Sequence, residues 1–309
     1  MNTYNFRIAD IGLMVEANES HIATELLDFC TDQMERPGLS VRIVPTSGIP
    51  ELKDSPILHN DYMLMYFEDE RYTIKYPGEP GIDFAEFTPG ENSPDTGSAY
   101  IYYDPSATDS EIAHGAFMAL RLMLSYCYQK QGKFMMHAAS FIYKEKVWPV
   151  SAKSGTGKST LVRHMKEAFP NEAADYNGDL ALISKNVDPD SGRSGAKIHG
   201  IPWNGTSGIF SSADMTLGGI IILHRTDRPL PAHAVTMGTD GTNMVYTLPD
   251  DEQALSVLQR LISPSWHDWQ LIDNKCFAED IISAIPVWQL AAADDISAAV
   301  LVKKAIDTL

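Results

Sequence analysis

The 309-residue sequence has little cysteine, few basic residues and no long apolar run. Its three cysteines, Cys30, Cys127 and Cys276, are odd in number, far apart and free of C-x-x-C spacing, a pattern of buried thiols rather than a disulfide framework. Lysine and arginine number 24 against 41 acids, giving a formal net charge of −17. That field repels polyanions and no basic stripe offsets it, so nucleic acid is excluded as a partner and any anionic ligand needs a local positive site. No stretch approaches the ~20 apolar residues that span a bilayer, and Met1 to Asp10 carries no charged-then-apolar leader. A cytoplasmic protein without a membrane partner is the expectation. The run GGIIIL (218–223) is far too short to span and reads as a buried strand.

What is present is an ordinary globular composition, with room for two domains or for one large α/β domain and an appended region. Residues 1–130 read as an α+β region. FRIADIGLMVE (6–16) and YMLMYFEDERYTIKY (62–76) have strand character, and ESHIATELLDFCTDQM (19–34) repeats apolar residues at helical spacing behind a candidate Ser20 cap. The Gly- and Pro-rich stretch 76–97 reads as a loop. This region either binds an acceptor or braces the fold. A helix is expected over Asp109 to Gln131, and a domain boundary near residue 130.

Past that boundary, FMMHAASFIYKEKVWPVSA (134–152) gives two strands around a polar KEK turn, followed by a glycine-containing loop and the amphipathic helix STLVRHMKEAF (159–169). DLALIS, AKIHGI and TLGGIIILHR read as further strands, and helical patterns follow at 252–262, 276–284 and 293–308. The order strand, loop, helix is the context in which a phosphate-binding loop, G-x-x-x-x-G-K-[ST], has its physical meaning. Successive backbone N–H groups curl around phosphate oxygens at a helix start whose dipole favours negative charge. Here the fixed places hold Ala152, Gly157, Lys158 and Ser159, so three of four match. Ala152 lacks only the freedom of glycine to take a positive φ and the closest backbone approach.

The nucleotide-binding set is therefore Ser154, Gly155, Thr156, Gly157, Lys158, Ser159 and Thr160. Lys158 is assigned to the β- and γ-phosphates, and the Ser159 hydroxyl to a bound Mg²⁺. A second metal ligand is needed, and Asp179, directly before the strand DLALIS, supplies it.

MMHAASF, SGTGKST, NGDLALI, HGIPWNG and IPVWQL together resemble the HPr kinase/phosphorylase-like group of P-loop proteins, whose nucleotide fold is similar to that of ATP-dependent phosphoenolpyruvate carboxykinase. The resemblance covers about residues 130–309 and is closer to uncharacterised relatives than to authentic HPr kinase. It implies an α/β P-loop kinase domain using ATP and Mg²⁺. An acidic pair after the loop would bind metal and activate an acceptor serine hydroxyl, and the catalytic set would be Asp179, His137 and Lys158. His137 matches a histidine on the strand before the loop.

Two departures stand out. The acidic pair is Gly178-Asp179, so Asp179 does both jobs unless Asp175 or His137 substitutes. The glycine-bearing Glu-Ile-Arg signature is missing, which argues against HPr as substrate. HGIPWNGTSG (199–208), with Trp203 and Asn204, is either a loop closing over the phosphates or a tight turn with a packed tryptophan. Arg225, ending IIILHR, is a candidate to approach the transferred group or a surface residue. The resulting expectation is a kinase acting on a hydroxyl of a protein, peptide or small molecule, a homo-oligomer being compatible with the group. A nucleotide-sensing module without efficient turnover is the rival reading.

Overall fold

The computed structural model describes all residues except 35, 53–54, 79, 91–95, 188–193 and 227–229. The chain divides into two units, Met1–Gln131 and Gly132–Leu309, and each holds one large mixed sheet.

In the first unit the described residues form strands β1 (Asn2–Ile8), β2 (Ile11–Ala17), β3 (Leu39–Pro45), β4 (Leu58–His59), β5 (Leu64–Glu68), β6 (Arg71–Lys75), β7 (Ile82–Pro89) and β8 (Gly97–Tyr103). Their order in the sheet is β1-β2-β3-β8-β7-β6-β5-β4. The helix α1 (Asp109–Lys130) packs on β7 and β8. It starts where Thr108 and Glu111 exchange a capping box: Glu111 N–H donates to Thr108 Oγ1 at 3.3 Å, and Thr108 N–H donates to Glu111 Oε2 at 2.9 Å. It stops before Gly132, whose φ of 69° no other residue adopts as cheaply.

One expectation gains detail here and three need correction. FRIADIGLMVE and YMLMYFEDERYTIKY are each a hairpin, β1–β2 and β5–β6, turning through Ala9-Asp10 and Asp69-Glu70 with positive φ at both turn residues. Such turns favour Asn and Gly, whose absence hides them in the sequence. The helix expected over 19–34 is two short 3₁₀ turns, Glu19–His21 and Thr24–Phe29, and Ser20 lies inside the first rather than capping it. Pairing to the edge of β1 pulls the chain straight, with Thr31 N–H donating to Asn5 O at 3.0 Å. The loop expected over 76–97 contains β7, which buries Ile82, Phe84 and Phe87 and pairs with β8, while residues 79 and 91–95 of that stretch lie outside the described residues. Lastly, of the three thiols only Cys127 is buried; Cys30 and Cys276 are exposed.

The second unit is built on β9 (Lys133–Tyr143), β10 (Lys146–Ser151), β11 (Ala173–Asn177), β12 (Leu180–Val187), β13 (Ser194–His199), β14 (Met215–Thr216), β15 (Ile220–Arg225), β16 (Val235–Thr239), β17 (Met244–Thr247) and β18 (Val287–Ala292). The sheet runs β14-β13-β12-β9-β10-β15-β18-β17-β16, with β11 alongside β9. Helices α2 (Lys158–Ala168), α3 (Asp250–Leu258), α4 (Asp268–Ala284) and α5 (Ile296–Asp307) complete it.

The pleat of β9 explains the layering. Phe134, Met136 and Ala138 point to one face and meet Val257, Phe277 and Ile281 of α3 and α4; Ala139, Phe141 and Tyr143 point to the other and share a core with Leu161 and Met165 of α2 and Leu301 of α5. Helices on both faces of a sheet bury both sides of it. At its centre, β10, β15 and β18 run parallel, so Ser151, Arg225 and Ala292 end at the same edge. No helix among the described residues is long and apolar enough to cross a membrane.

Candidate functional site

The edge where the parallel strands end is where an open α/β sheet offers a crevice for ligands. The chain leaves β10 at Ser151, turns through residues 152–157 and enters α2 at Lys158. Gly155 and Gly157 make the turn with φ of 73° and 111°. A side-chain carbon on Gly155 would meet nothing within 4 Å, so the space over the loop is open. Gly157 occupies the cap position without any side-chain cap, which leaves the first N–H groups of α2 to a ligand or to water.

Ala152 does not sit in a left-handed conformation. Its methyl is 3% exposed and belongs to the core shared by Val150, Leu161 and Leu223. The alanine at the head of the loop therefore faces inward and has no need of glycine's freedom. Ser154, Gly155 and Ser159 are exposed, Thr156, Gly157 and Thr160 half-buried, and Lys158 buried.

Burial pushes the Lys158 ammonium below the ordinary lysine value; the Asp179 carboxylate opposes that shift and the Arg260 guanidinium adds to it. Lys158 thus shares a field with one acid and one further cation. Asp179 stands in the turn between β11 and β12, and its Oδ1 is 3.0 Å from His137 Nε2 on β9. Leu180 pairs with His137 in the sheet, and Ala138 N–H donates to Asp179 O at 2.8 Å, so the register of β12 against β9 fixes the pair. Asn177 locks the turn by accepting from the N–H groups of both Asp179 and Leu180 at 3.0 Å. The side chains of His137 and Asp179 are 36% and 30% exposed, accessible but restrained.

Asp175, weighed from the sequence as a substitute acid, is ion-paired with Lys166 of α2. It lies opposite Phe141, four residues along β9 from His137, or about 13 Å at strand rise. It is not part of this group. Arg225 donates from Nη2 to Gly155 O at 3.4 Å, touching the backbone of the loop.

The segment after β13 closes on the acid. Gly205, with φ of 62°, sits so near Asp179 that a carbon added to it would be 2.9 Å from Asp179 Cγ. Ser207 fills the space beside Gly178: a side-chain carbon there would lie 1.9 Å from Ser207 Oγ, and Gly178 N–H donates to Ile209 O at 3.0 Å. The glycine in place of an acid is thus a packing requirement of this segment. Trp203 is 2% exposed, and Asn204 accepts from Gly208 N–H at 3.2 Å. Asp214 anchors the far end, accepting from Gly200 N–H at 3.1 Å and facing His199 Nδ1 at 3.1 Å and Lys197 Nζ at 2.7 Å. Burial alone would raise the Asp214 carboxyl, but these donors together hold it well below the usual carboxylate range.

On the flank of the loop is a cavity of about 460 Å³, whose walls include Thr156, Thr160, His164, Arg225, Ala293 and Asp294. It shares Gly155 to Gly157 with the loop but does not reach Lys158, Asp179 or His137. Arg260, the cavity and the turn over Gly178 carry no sequence signal, because each depends on segments distant along the chain.

No family model matches the chain, and no curated protein matches it. Among solved structures it is similar to the Hpr(Ser) kinase/phosphatase from Coxiella burnetii, at 15% identity and a TM-score of 0.20, over 33% of this chain and 70% of that one. A likeness that slight assigns neither a fold nor an activity, and the site stands on its own geometry.

Proposed function

We propose that residues 132–309 form a phosphotransferase that uses ATP with Mg²⁺ and passes the γ-phosphoryl group to a hydroxyl, most simply that of a serine in a protein or peptide, or of a small molecule. The observation that carries this reading is the meeting of Lys158, Asp179 and His137 at the start of a helix whose first N–H groups have no side-chain cap. The residues fit the ligand. Open space over Gly155 suits a phosphate, and a hydroxyl at Ser159 with a carboxylate at Asp179 is the hard oxygen donor set that Mg²⁺ prefers. The flanking cavity, at about 460 Å³, has the size of a small-molecule site and would take the nucleoside.

In that reading Ser159 and Asp179 would hold Mg²⁺, which would supply charge to offset that of the phosphates. Lys158, with Arg260 in the same field, adds local positive charge to an otherwise acidic chain. Asp179 accepts the acceptor's hydroxyl proton, and His137 orients its carboxylate through the 3.0 Å contact. The packed Gly178 favours a second reading, a nucleotide-sensing module, since one acid instead of two leaves metal binding and proton removal to the same carboxylate. Calorimetric titration with ATP, GTP and ADP, with and without Mg²⁺, tests the common ground. Mg²⁺-dependent binding that Lys158→Ala abolishes is expected, and absence of any nucleotide binding sinks both readings. Phosphate transfer to a hydroxyl separates the kinase from the sensor.

A further inference from the structure

The segment that closes on the acid carries hydroxyls of its own. Asn204 to Gly208 reads N-G-T-S-G, and both glycines are left-handed, with φ of 62° and 69°. Gly205 packs directly on the Asp179 carboxylate. Thr206 is the next residue, one Cα step of about 3.8 Å away, and it is exposed. The Ser207 hydroxyl is committed: it donates to Asn204 O at 2.7 Å and accepts from Ile209 N–H at 3.1 Å. Thr206 has no such engagement among the described residues. The turn is tied down at both sides, by Gly208 N–H on Asn204 Oδ1 and by Gly178 N–H on Ile209 O. A free hydroxyl is therefore presented on a restrained turn that rests on the Asp179 carboxylate.

We infer that Thr206 is a phosphoryl acceptor for the chain's own site, and that the protein modifies this turn in cis. The inference rests on the phosphotransferase reading and names an acceptor for it. Thr206 Oγ attacks the γ-phosphorus of ATP. The Oγ–P bond forms as the bond from that phosphorus to the β,γ-bridging oxygen breaks, ADP leaves, and the hydroxyl proton passes to Asp179 and then to water. The product places a group of nearly two negative charges beside Asp179. Repulsion then loosens the turn, and the buried Trp203 that immediately precedes it in the chain gains exposure. The modification is thus a device that acts on access to the site.

The test incubates the full chain with Mg²⁺ and γ-labelled ATP, maps labelled peptides by mass spectrometry, and follows ATP binding and ADP release in the same samples. The expected result is one phosphoryl group on Thr206, formed at a rate per molecule that does not change on tenfold dilution, retained in Thr206→Ser and lost in Thr206→Val and Lys158→Ala. Trp203 emission should shift to longer wavelength as the label accumulates. Label on other residues only, or ATP bound and ADP released with no label on the turn, overturns the inference while leaving the phosphotransferase reading in place. A rate per molecule that falls with dilution overturns the cis assignment. Absence of ATP binding removes both.

Discussion

The Nε2 atom of His137 lies 3.0 Å from Oδ1 of Asp179, although the two residues are 42 positions apart in the chain. The contact exists because β12 pairs with β9 in a register that sets Leu180 opposite His137. It gives the acid a defined orientation beside Lys158, and the two residues should separate cleanly in function.

Asp179→Asn should abolish phosphoryl transfer, with a loss of about 10²–10⁴-fold expected for removal of a general base, while nucleotide binding is weakened but measurable. His137→Gln should retain transfer at a reduced rate, because the amide can still hold the carboxylate. Single-turnover rates set against calorimetric Kd values distinguish these outcomes. Equal rates in Asp179→Asn and wild type would remove Asp179 from the chemistry.

Gly178→Ala should destabilise the second unit by about 1–3 kcal/mol, the usual cost of overpacking, because the new carbon meets Ser207 Oγ and Cβ at 1.9 and 2.4 Å. Adding Ser207→Gly should recover most of that loss. Denaturant melts of the single and double variants provide the check, and an unchanged midpoint for Gly178→Ala would show that the turn yields freely.

Ala152→Gly restores the usual opening residue of the loop, yet it should leave nucleotide affinity unaltered. The Ala152 methyl is packed in the core and its backbone is not left-handed. Stability should fall by about 1 kcal/mol from the lost methyl and the added chain entropy. A marked gain in affinity would mean that the loop head is the limiting defect.

Lys158 sets a pH limit. Burial lowers its proton affinity, Asp179 supports it, and binding that depends on the ammonium is lost as pH rises through the depressed value. Removing the acidic support in Asp179→Asn lowers that value further, so the alkaline fall in affinity should move to lower pH. The sign for stability is the opposite of the usual lysine pairing. Between the depressed and ordinary values the unfolded chain holds more protons, and stability rises with pH there. Affinity titrations from pH 7 to 10 read the first effect, and an alkaline limb at the same pH in both proteins would disconnect the two groups.

The sequence by itself determined the local parts of this protein. Residues 133–168 form strand, turn, strand, loop and helix because apolar alternation, the KEK turn and the glycines of SGTGKST all act within a few residues of one another. The helix Asp109–Lys130 was legible from its local pattern, and the structure adds the capping box of Thr108 and Glu111. Only the tertiary structure decided that Ala152 faces the core, that Asp175 belongs to Lys166, that Arg260 shares a field with Lys158, and that Ser207 fills the place beside Gly178. It also turned a helical pattern at 19–34 into short turns, because backbone pairing with β1 outweighed local periodicity. Periodicity and caps are short-range physics written in neighbouring residues. Side-chain space and the sharing of charge depend on strand register, which brings together residues that the sequence keeps far apart.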